Sequence, residues 1–279
     1  MRPDEAAGRL DPKLAAATTA VPPPTVKMKG IWKNFGAVRA LQGVDLDLMP
    51  REILGLVGDN AAGKSTLMKI LSGALRADAG EIFVEGRPAP IHSPRDARSL
   101  GIEMVHQDFA LCKNIWIVGN IYMGREIRRR GIGGFLGLLD KRKMLRGSED
   151  ILRRQNVDIG NCRKLAGALS GGQQQSVAIA RAVGFSAKVV IMDEPTASLG
   201  VKQSQRLLEL TRTLPQHGIS VIYITHRMQD VFTLCDRIMV LKTGQNVGTF
   251  KKSDVSIDEI VKLMILGRIG LEQGALPAA

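Results

Sequence analysis

The segment Gly58-Asp59-Asn60-Ala61-Ala62-Gly63-Lys64-Ser65-Thr66 constrains this chain more than any other feature. It fits the pattern G-x-x-x-x-G-K-[ST], and its flanks have the character that the pattern needs. Residues 52–57 are an apolar run that predicts a buried strand, 58–63 predict a turn, and 64–72 predict a helix stopped by Gly73. Glycines in such a turn let the backbone wrap a triphosphate, so that successive N–H groups and the positive end of the helix face its oxygens. Lys64 would reach the β and γ phosphates, and the Ser65 hydroxyl would ligate Mg²⁺. The alternative is a glycine-rich turn that binds nothing; the Lys-Ser pair and the flanking elements argue against it.

A second run, Val189-Val190-Ile191-Met192-Asp193-Glu194, is an apolar strand leading straight into two carboxylates. In doubly wound folds such a strand delivers its acids to the carboxyl edge of the sheet, where ligands bind. Asp193 would hold the metal through a water, and Glu194 is placed to act as general base on an attacking water. Taken alone, the two acids could be a solvated strand exit. Following a phosphate loop, they read as the second half of one site.

The rest of the chain is organised around these runs. Residues 188–193 and 219–225 predict two buried strands, and Leu207, Leu210 and Leu214 mark a helix over 203–216 that covers the sheet and ends at Gly218. Strand-type and helix-type patterns alternate from about 25 to 250, the mark of a mostly parallel sheet flanked by helices in an α/β fold. Residues 112–168 lack strand signals and interrupt that alternation, which points to an inserted helical subdomain. Residues 1–24 are rich in Ala, Pro and Thr and read as a mobile tail, while 251–279 form a short extension with a helix at 257–266.

Composition excludes several classes. With 279 residues, 44% of them apolar, the chain can bury a large core, yet no apolar run approaches the roughly 18 to 20 residues of a membrane span. No secretory signal is visible, so a cytosolic location is expected unless a partner holds the chain elsewhere. Cys112, Cys162 and Cys235 are far apart, and His92, His106, His217 and His226 are scattered, so neither disulfides nor a structural zinc is expected. The net charge is +12, and the segment from Arg125 to Lys164, with twelve Lys or Arg against five acids, carries +7 of it. That segment reads either as a solvated helical face or as a surface close to anionic lipid head groups. With aromatics at 4% and no basic-aromatic pattern, nucleic acid is not expected as a partner.

Leu169-Ser170-Gly171-Gly172-Gln173 matches LSGGQ, and through it the chain resembles the ATPases of the ATP-binding cassette (ABC) family. Ser170 and the glycines would open a helix running through Val177 and Ala180, a second set of backbone donors for phosphate. The resemblance covers about 26–250 and implies a P-loop domain with a RecA-like core, an antiparallel β subdomain, and a helical subdomain at about 112–184. It implies that the signature of one subunit closes over ATP held by the phosphate loop of another, hence a dimer. By the same resemblance Phe35 stacks on adenine, although a core phenylalanine is the alternative. Gln107 touches metal and water, and His226 contacts the γ-phosphate and orients Glu194.

Within the family, Ser93-Pro94-Arg95-Asp96-Ala97, Leu100-Gly101-Ile102 and Pro195 to Lys202 are similar to ATPase subunits of bacterial monosaccharide importers. Such a subunit sits peripherally on the cytoplasmic face of the inner membrane. Its partners are integral membrane permease subunits and, indirectly, a solute-binding protein. An exporter ATPase, a soluble ABC protein acting on ribosomes or nucleic acid, and a small-molecule kinase are the rival readings, in descending order. Many of those importer relatives carry two fused cassettes where this chain has one. Two departures stand out: Ala61 replaces a glycine common in relatives, at a cost of about 1 to 2 kcal/mol and of some nucleotide affinity if φ is positive there. Gly200 replaces an aspartate that communicates across the dimer, which puts coupling between sites in doubt.

Overall fold

The structure, a computed structural model, describes residues 22–105, 111–131, 135–155, 157–197 and 199–267. Two long strands, β1 (Val26–Phe35) and β2 (Val38–Leu48), pair antiparallel, and β4 (Ala79–Val84) and the two-residue β5 (Arg87–Pro88) complete a four-stranded sheet in the order β2-β1-β4-β5. Buried Val26, Met28 and Ile31 alternate with exposed or half-buried neighbours along β1, so this sheet has one dry face.

The second sheet has the order β10-β9-β3-β8-β7-β6. Its strands β3 (Ile53–Val57), β6 (Ile102–Val105), β7 (Val189–Asp193), β8 (Ser220–Ile224) and β9 (Arg237–Lys242) pair in parallel, and β10 (Gln245–Lys251) adds an antiparallel edge. Central strands β3 and β8 are buried on both faces, as helices on either side of a parallel sheet require. Leu54, Leu56, Ile222 and Ile224 pack toward α1 (Lys64–Leu71) and the first sheet. Ile53, Val57, Val221 and Tyr223 pack toward α6 (Val201–Thr213), α7 (Met228–Leu234) and α8 (Ile257–Leu266). The molecule is thus layered about the six-stranded sheet, and α1, leaving the carboxyl end of β3, starts where that sheet ends.

The helix covering the sheet between β7 and β8 buries Ser204, Leu207 and Thr211, followed by Leu214 in a short 3₁₀ turn, while Leu210 is half-buried. The stripe differs from the leucine pattern because Thr211 satisfies its hydroxyl on the Leu207 carbonyl at 2.8 Å, which removes most of the cost of burying it. Helix α2 (Pro94–Ser99) precedes β6, and between β6 and β7 the described α-helices are the one-turn α3 (Ile117–Ile121), α4 (Lys141–Arg154) and α5 (Gly171–Val183). This stretch contains more turn and loop than its sequence suggests, with left-handed glycines at Gly124, Gly131, Gly137 and Gly160 breaking it. It has its own apolar cluster of Ile117, Ile121, Met144, Leu152 and Val177. Helix α5 joins the two units, since Val177 and Ala180 face that cluster while Ala178, Ile179 and Ala182 face the sheet.

One polar clamp fixes the start of the sheet. Arg237 donates from Nε to Glu52 Oε1 at 2.5 Å and from its NH2 to Glu52 Oε2 at 3.1 Å and the Asp47 carbonyl at 2.7 Å. Glu52 is buried and also accepts the Met49 N–H. Arg237→Ala strands that carboxylate, and a loss of about 2 kcal/mol is expected, less than for a fully dry pair because the guanidinium is partly wetted. Urea denaturation reads it as a lower midpoint at unchanged slope; a midpoint within error of the parent would contradict the clamp.

Candidate nucleotide-binding and hydrolytic site

The phosphate loop leaves β3 at Gly58 and enters α1 at Gly63, and the backbone there explains the glycines. Gly58 has φ 152° and Gly63 φ 102°; a Cβ on the first would lie 2.1 Å from the Leu241 carbonyl oxygen, and one on the second 2.7 Å from that of Ala40. Neither position tolerates a side chain while the loop stays seated on β2 and β9. Within the loop, Ala62 N–H donates to the Asp59 carbonyl and Gly244 N–H to the Ala62 carbonyl. No side chain caps α1, so its first-turn N–H groups are left for another acceptor.

Lys64 is buried, and its ammonium donates to the carbonyls of Gly58 at 2.6 Å and Asp59 at 2.9 Å. Burial pushes its pKa below the ordinary lysine range, an effect that the negative charges of Glu194, Asp193 and Asp59 oppose. Those charges record the geometry: the end of β7 brings Asp193 and Glu194 beside the phosphate loop. Ser65 and Thr66 follow in the first turn of α1, with Ser65 exposed.

Ala61 has φ 67°, the left-handed region, so its methyl is strained. Ala61→Gly removes about 1 to 2 kcal/mol of that strain and adds about 0.4 to 1 kcal/mol of unfolded-chain entropy. A net gain of about 0 to 1.6 kcal/mol is expected, visible as a melting temperature higher by about 2 to 4 °C for each kcal/mol; a lower one would mean that the methyl makes a contact worth more than its strain.

Glu194 also lies in the left-handed region, at φ 48°. The conformation is held by its own N–H on the Ile224 carbonyl at 2.9 Å and by Gln175, whose buried side chain donates to the Pro195 carbonyl at 3.2 Å. Strain of about 1 to 3 kcal/mol retained in this way is found at sites that need a side chain aimed. His226 Nδ1 lies 3.0 Å from Glu194 Oε1 and 3.0 Å from Oε2, and the Thr225 hydroxyl donates to Oε2 at 3.4 Å. The His226 ring is thus tied to the carboxylate through Nδ1 while the side chain stays largely exposed.

Ser170 caps α5, its hydroxyl accepting from Gln173 N–H while the Gln173 side chain accepts from Ser170 N–H. A methyl on Gly171 would meet nothing within 4 Å, so this helix start is open, and Gly172 faces the Gln203 side chain of α6. Gly200 stands at the N-cap position of α6 without a side-chain cap, and its N–H donates to the Gln203 side-chain oxygen at 3.2 Å. Phe35, at the turn from β1 to β2, is 49% exposed with the Lys33 ammonium 5.8 Å from its ring centre, so it is not a core residue. Its partner Val38 is two residues from Ala40, whose carbonyl abuts Gly63. Gln107 lies outside the described residues. Sequence patterns pass over Gln175 and Thr225; adjacency to His226 was the one hint for Thr225, and Gln175 gave none.

The fit to magnesium rests on donor chemistry. A serine hydroxyl and an aspartate at the ends of two neighbouring elements are hard oxygen donors, and Mg²⁺ is commonly held by one or two such groups together with substrate phosphates. Among the described residues no group of three or more His, Cys, Asp or Glu is gathered to hold a metal ion by itself.

The profile of the family described as ABC transporter matches residues 41–197. The ribose import ATP-binding protein RbsA 2 of Burkholderia pseudomallei is 44% identical over 245 residues, which is 88% of this chain and 47% of that protein. The chain therefore spans about half the length of such relatives. The xylose/arabinose import ATP-binding protein XylG of Sulfolobus acidocaldarius is 41% identical over 88% of this chain and 97% of its own length. Among solved structures, a nucleotide-free ATP-binding cassette from an ABC transporter superposes with a TM-score of 0.73 at 25% identity, covering 89% of this chain and 98% of that one.

Proposed function

Since the chain belongs to the ABC transporter family of ATP-binding cassettes, we propose that it is the ATP-hydrolysing subunit of an importer that takes up a sugar through partner membrane subunits. The observation that carries the hydrolytic half is the strained Glu194, held by His226 and Thr225 beside the buried ammonium of Lys64. The import half is supported by relatives named for import of ribose and of xylose or arabinose, which agree on the sugar class and differ on the sugar.

In this reading residues 25–250 are the cassette, with 112–184 its helical subdomain, 1–24 a tail and 251–279 an extension. Phe35 stacks on adenine. The N–H groups of 58–66 and the Lys64 ammonium bind the phosphates, and Ser170, Gly171, Gly172 and Gln173 of a second copy approach from the other side. Ser65, Asp193 and Gln107 would hold Mg²⁺, which supplies charge neutralisation on the β and γ phosphates. Glu194 accepts the proton of the attacking water as its oxygen bonds to the γ-phosphorus and the bond to the β-phosphate oxygen breaks. His226 keeps the carboxylate aimed through Nδ1 and presents Nε2 toward the γ-phosphate. Closure of two copies over two ATP drives the membrane subunits, and loss of the bridging phosphate lets them part. Gln175, tied to Pro195, carries movement of the signature helix to the Glu194 loop within one chain.

Among the described residues no helix is long and apolar enough to cross a membrane. The import reading, supported by relatives named as import ATP-binding proteins, assigns the subunit a peripheral place on the cytoplasmic face of the inner membrane, attached to permease subunits that connect to a solute-binding protein. Isolation from mildly solubilised membranes, followed by mass spectrometry of what stays bound, tests this. An integral membrane protein together with a sugar-binding protein is the expected result. A membrane partner without a binding protein would favour an exporter, and ribosomes or nucleic acid in their place would overturn transport while leaving hydrolysis standing.

A further inference from the structure

Between α3 and α4 the chain runs out and back as a short ribbon that the hydrolytic site does not use. Arg129 N–H donates to the Leu138 carbonyl at 2.8 Å, Asp140 N–H donates to that of Ile127 at 2.7 Å, and Arg128 pairs with Leu139. Ile127 and Leu139 root the two arms against the apolar cluster of the helical segment. Beyond those roots the chemistry changes. Arg128, Arg129 and Arg130 stand exposed on and just beyond the outgoing arm, while Phe135, 93% exposed, and Leu136, 66% exposed, precede the returning one, which starts at exposed Leu138. At the root, exposed Ile115 and Trp116 line a groove with Leu139, and Trp116 pairs with exposed Leu165. Lys141, Arg142 and Lys143 open α4 immediately after the ribbon, all three exposed.

Large apolar side chains left this exposed within a stretch of one sign of charge mark a contact rather than a solvated face. Two kinds of occupant fit an apolar and cationic surface: an acidic amphipathic helix in a groove, or an anionic bilayer. The groove here is lined by Ile115, Trp116, Leu139 and Met144, and Phe135 and Leu136 lie outside it. A helix seated there would leave Phe135 and Leu136, both largely exposed, in water. A soft planar phase accepts them, with arginines whose apolar stems reach along the interface and whose guanidinium groups pair with phosphate. The surrounding segment carries +7 of the chain's +12, so its charge complements an anionic surface.

We propose that this ribbon is a lipid contact: Phe135 and Leu136 enter the interfacial layer of the bilayer while Arg128, Arg129, Arg130 and the first turn of α4 bind the phosphates of anionic phospholipids. The contact goes beyond the transport reading, which requires a protein partner in the membrane and no lipid. A few interfacial side chains with a basic patch give weak, reversible attachment. Such attachment orients the helical segment toward the membrane without competing with a protein partner for strength.

The test is flotation of the full chain with vesicles of phosphatidylcholine alone or mixed with phosphatidylglycerol. Binding is expected only to the mixed vesicles and weakens as salt is raised. Joint replacement Arg128→Gln, Arg129→Gln and Arg130→Gln lowers partitioning by about a hundredfold, and Phe135→Ser with Leu136→Ser, which removes apolar area without changing charge, lowers it by about tenfold. Unchanged ATP binding and circular dichroism certify that both variants are folded. Failure of the parent chain to bind mixed vesicles overturns the proposal, as does undiminished binding by both variants. Loss in the arginine variant alone overturns it too, since charge without insertion would then suffice. Variants that bind vesicles like the parent but no longer copurify with a membrane protein would make the ribbon a protein contact. None of these negatives touches the hydrolytic reading, which ATP turnover in vesicle-free solution measures separately.

Discussion

Replacing Glu194 by glutamine is expected to lower ATP turnover by about 10² to 10⁴ while ATP still binds. The amide has the shape of the carboxylate, so the Thr225 hydroxyl and the His226 Nδ1–H can both donate to its oxygen as they do to Glu194. The left-handed backbone at φ 48° is held by Ile224 and, through Pro195, by Gln175, none of which the change touches. What is lost is the capacity to accept a proton from the attacking water. The variant should therefore accumulate as an ATP-bound closed dimer, seen by size-exclusion chromatography in ATP and absent in ADP. His226→Ala removes the aim and leaves the base, so its loss in turnover is smaller. Combined with Glu194→Gln it should add little, because groups acting as a unit are not additive. Turnover of Glu194→Gln at the parent rate would remove Glu194 from the mechanism.

That pair of carboxylates was legible before any fold was known, and the reason is physical. The run from Val189 to Met192 is apolar because β7 is buried on both faces, and it stops at Asp193 because the strand surfaces there. The same holds for β3 and β8, whose continuous burial shows as continuous apolar sequence. The first sheet was harder to read residue by residue. Its strands interleave charges such as Lys27, Lys29 and Asp47 with the core, and register shifts in β1 break the two-residue period. The helix α6 hid part of its stripe because a threonine that bonds its own helix can stand in for leucine, as Thr211 does. Phe35 could not be resolved between core and surface by sequence, since the deciding fact is the open side of the β1 to β2 turn. Gln175 gave no signal because its role depends on where α5 lies against the loop after β7, a contact between residues 20 apart in the chain. The ribbon after α3 was visible as charge alone; that Arg128 and Arg129 pair with Leu139 and Leu138 required the returning arm.

Removing the Lys64 ammonium is expected to have the second large effect, a fall in turnover of about 10² to 10³ for Lys64→Ala, with weakened ATP binding besides. The site itself supplies a sharper test through pH. Burial lowers the Lys64 pKa below the ordinary 10.5, against the pull of Glu194, Asp193 and Asp59. As pH rises, the folded chain therefore loses this proton before the unfolded chain does. Below the lowered pKa both states hold the proton and the cost of burying the charge is fully present. Between the lowered pKa and 10.5 the unfolded state binds more protons, so by linkage stability rises with pH in that window. Nucleotide affinity moves the opposite way there, because the neutral amine no longer attracts phosphate. Lys64→Arg carries a charge that does not titrate in this range, so differences between parent and Lys64→Arg isolate the residue from every other titrating group. On raising pH through the window, the parent should gain melting temperature and lose ATP affinity relative to Lys64→Arg. If both quantities instead fall together, or neither differs from Lys64→Arg, then the group that meets the phosphates is not the buried Lys64.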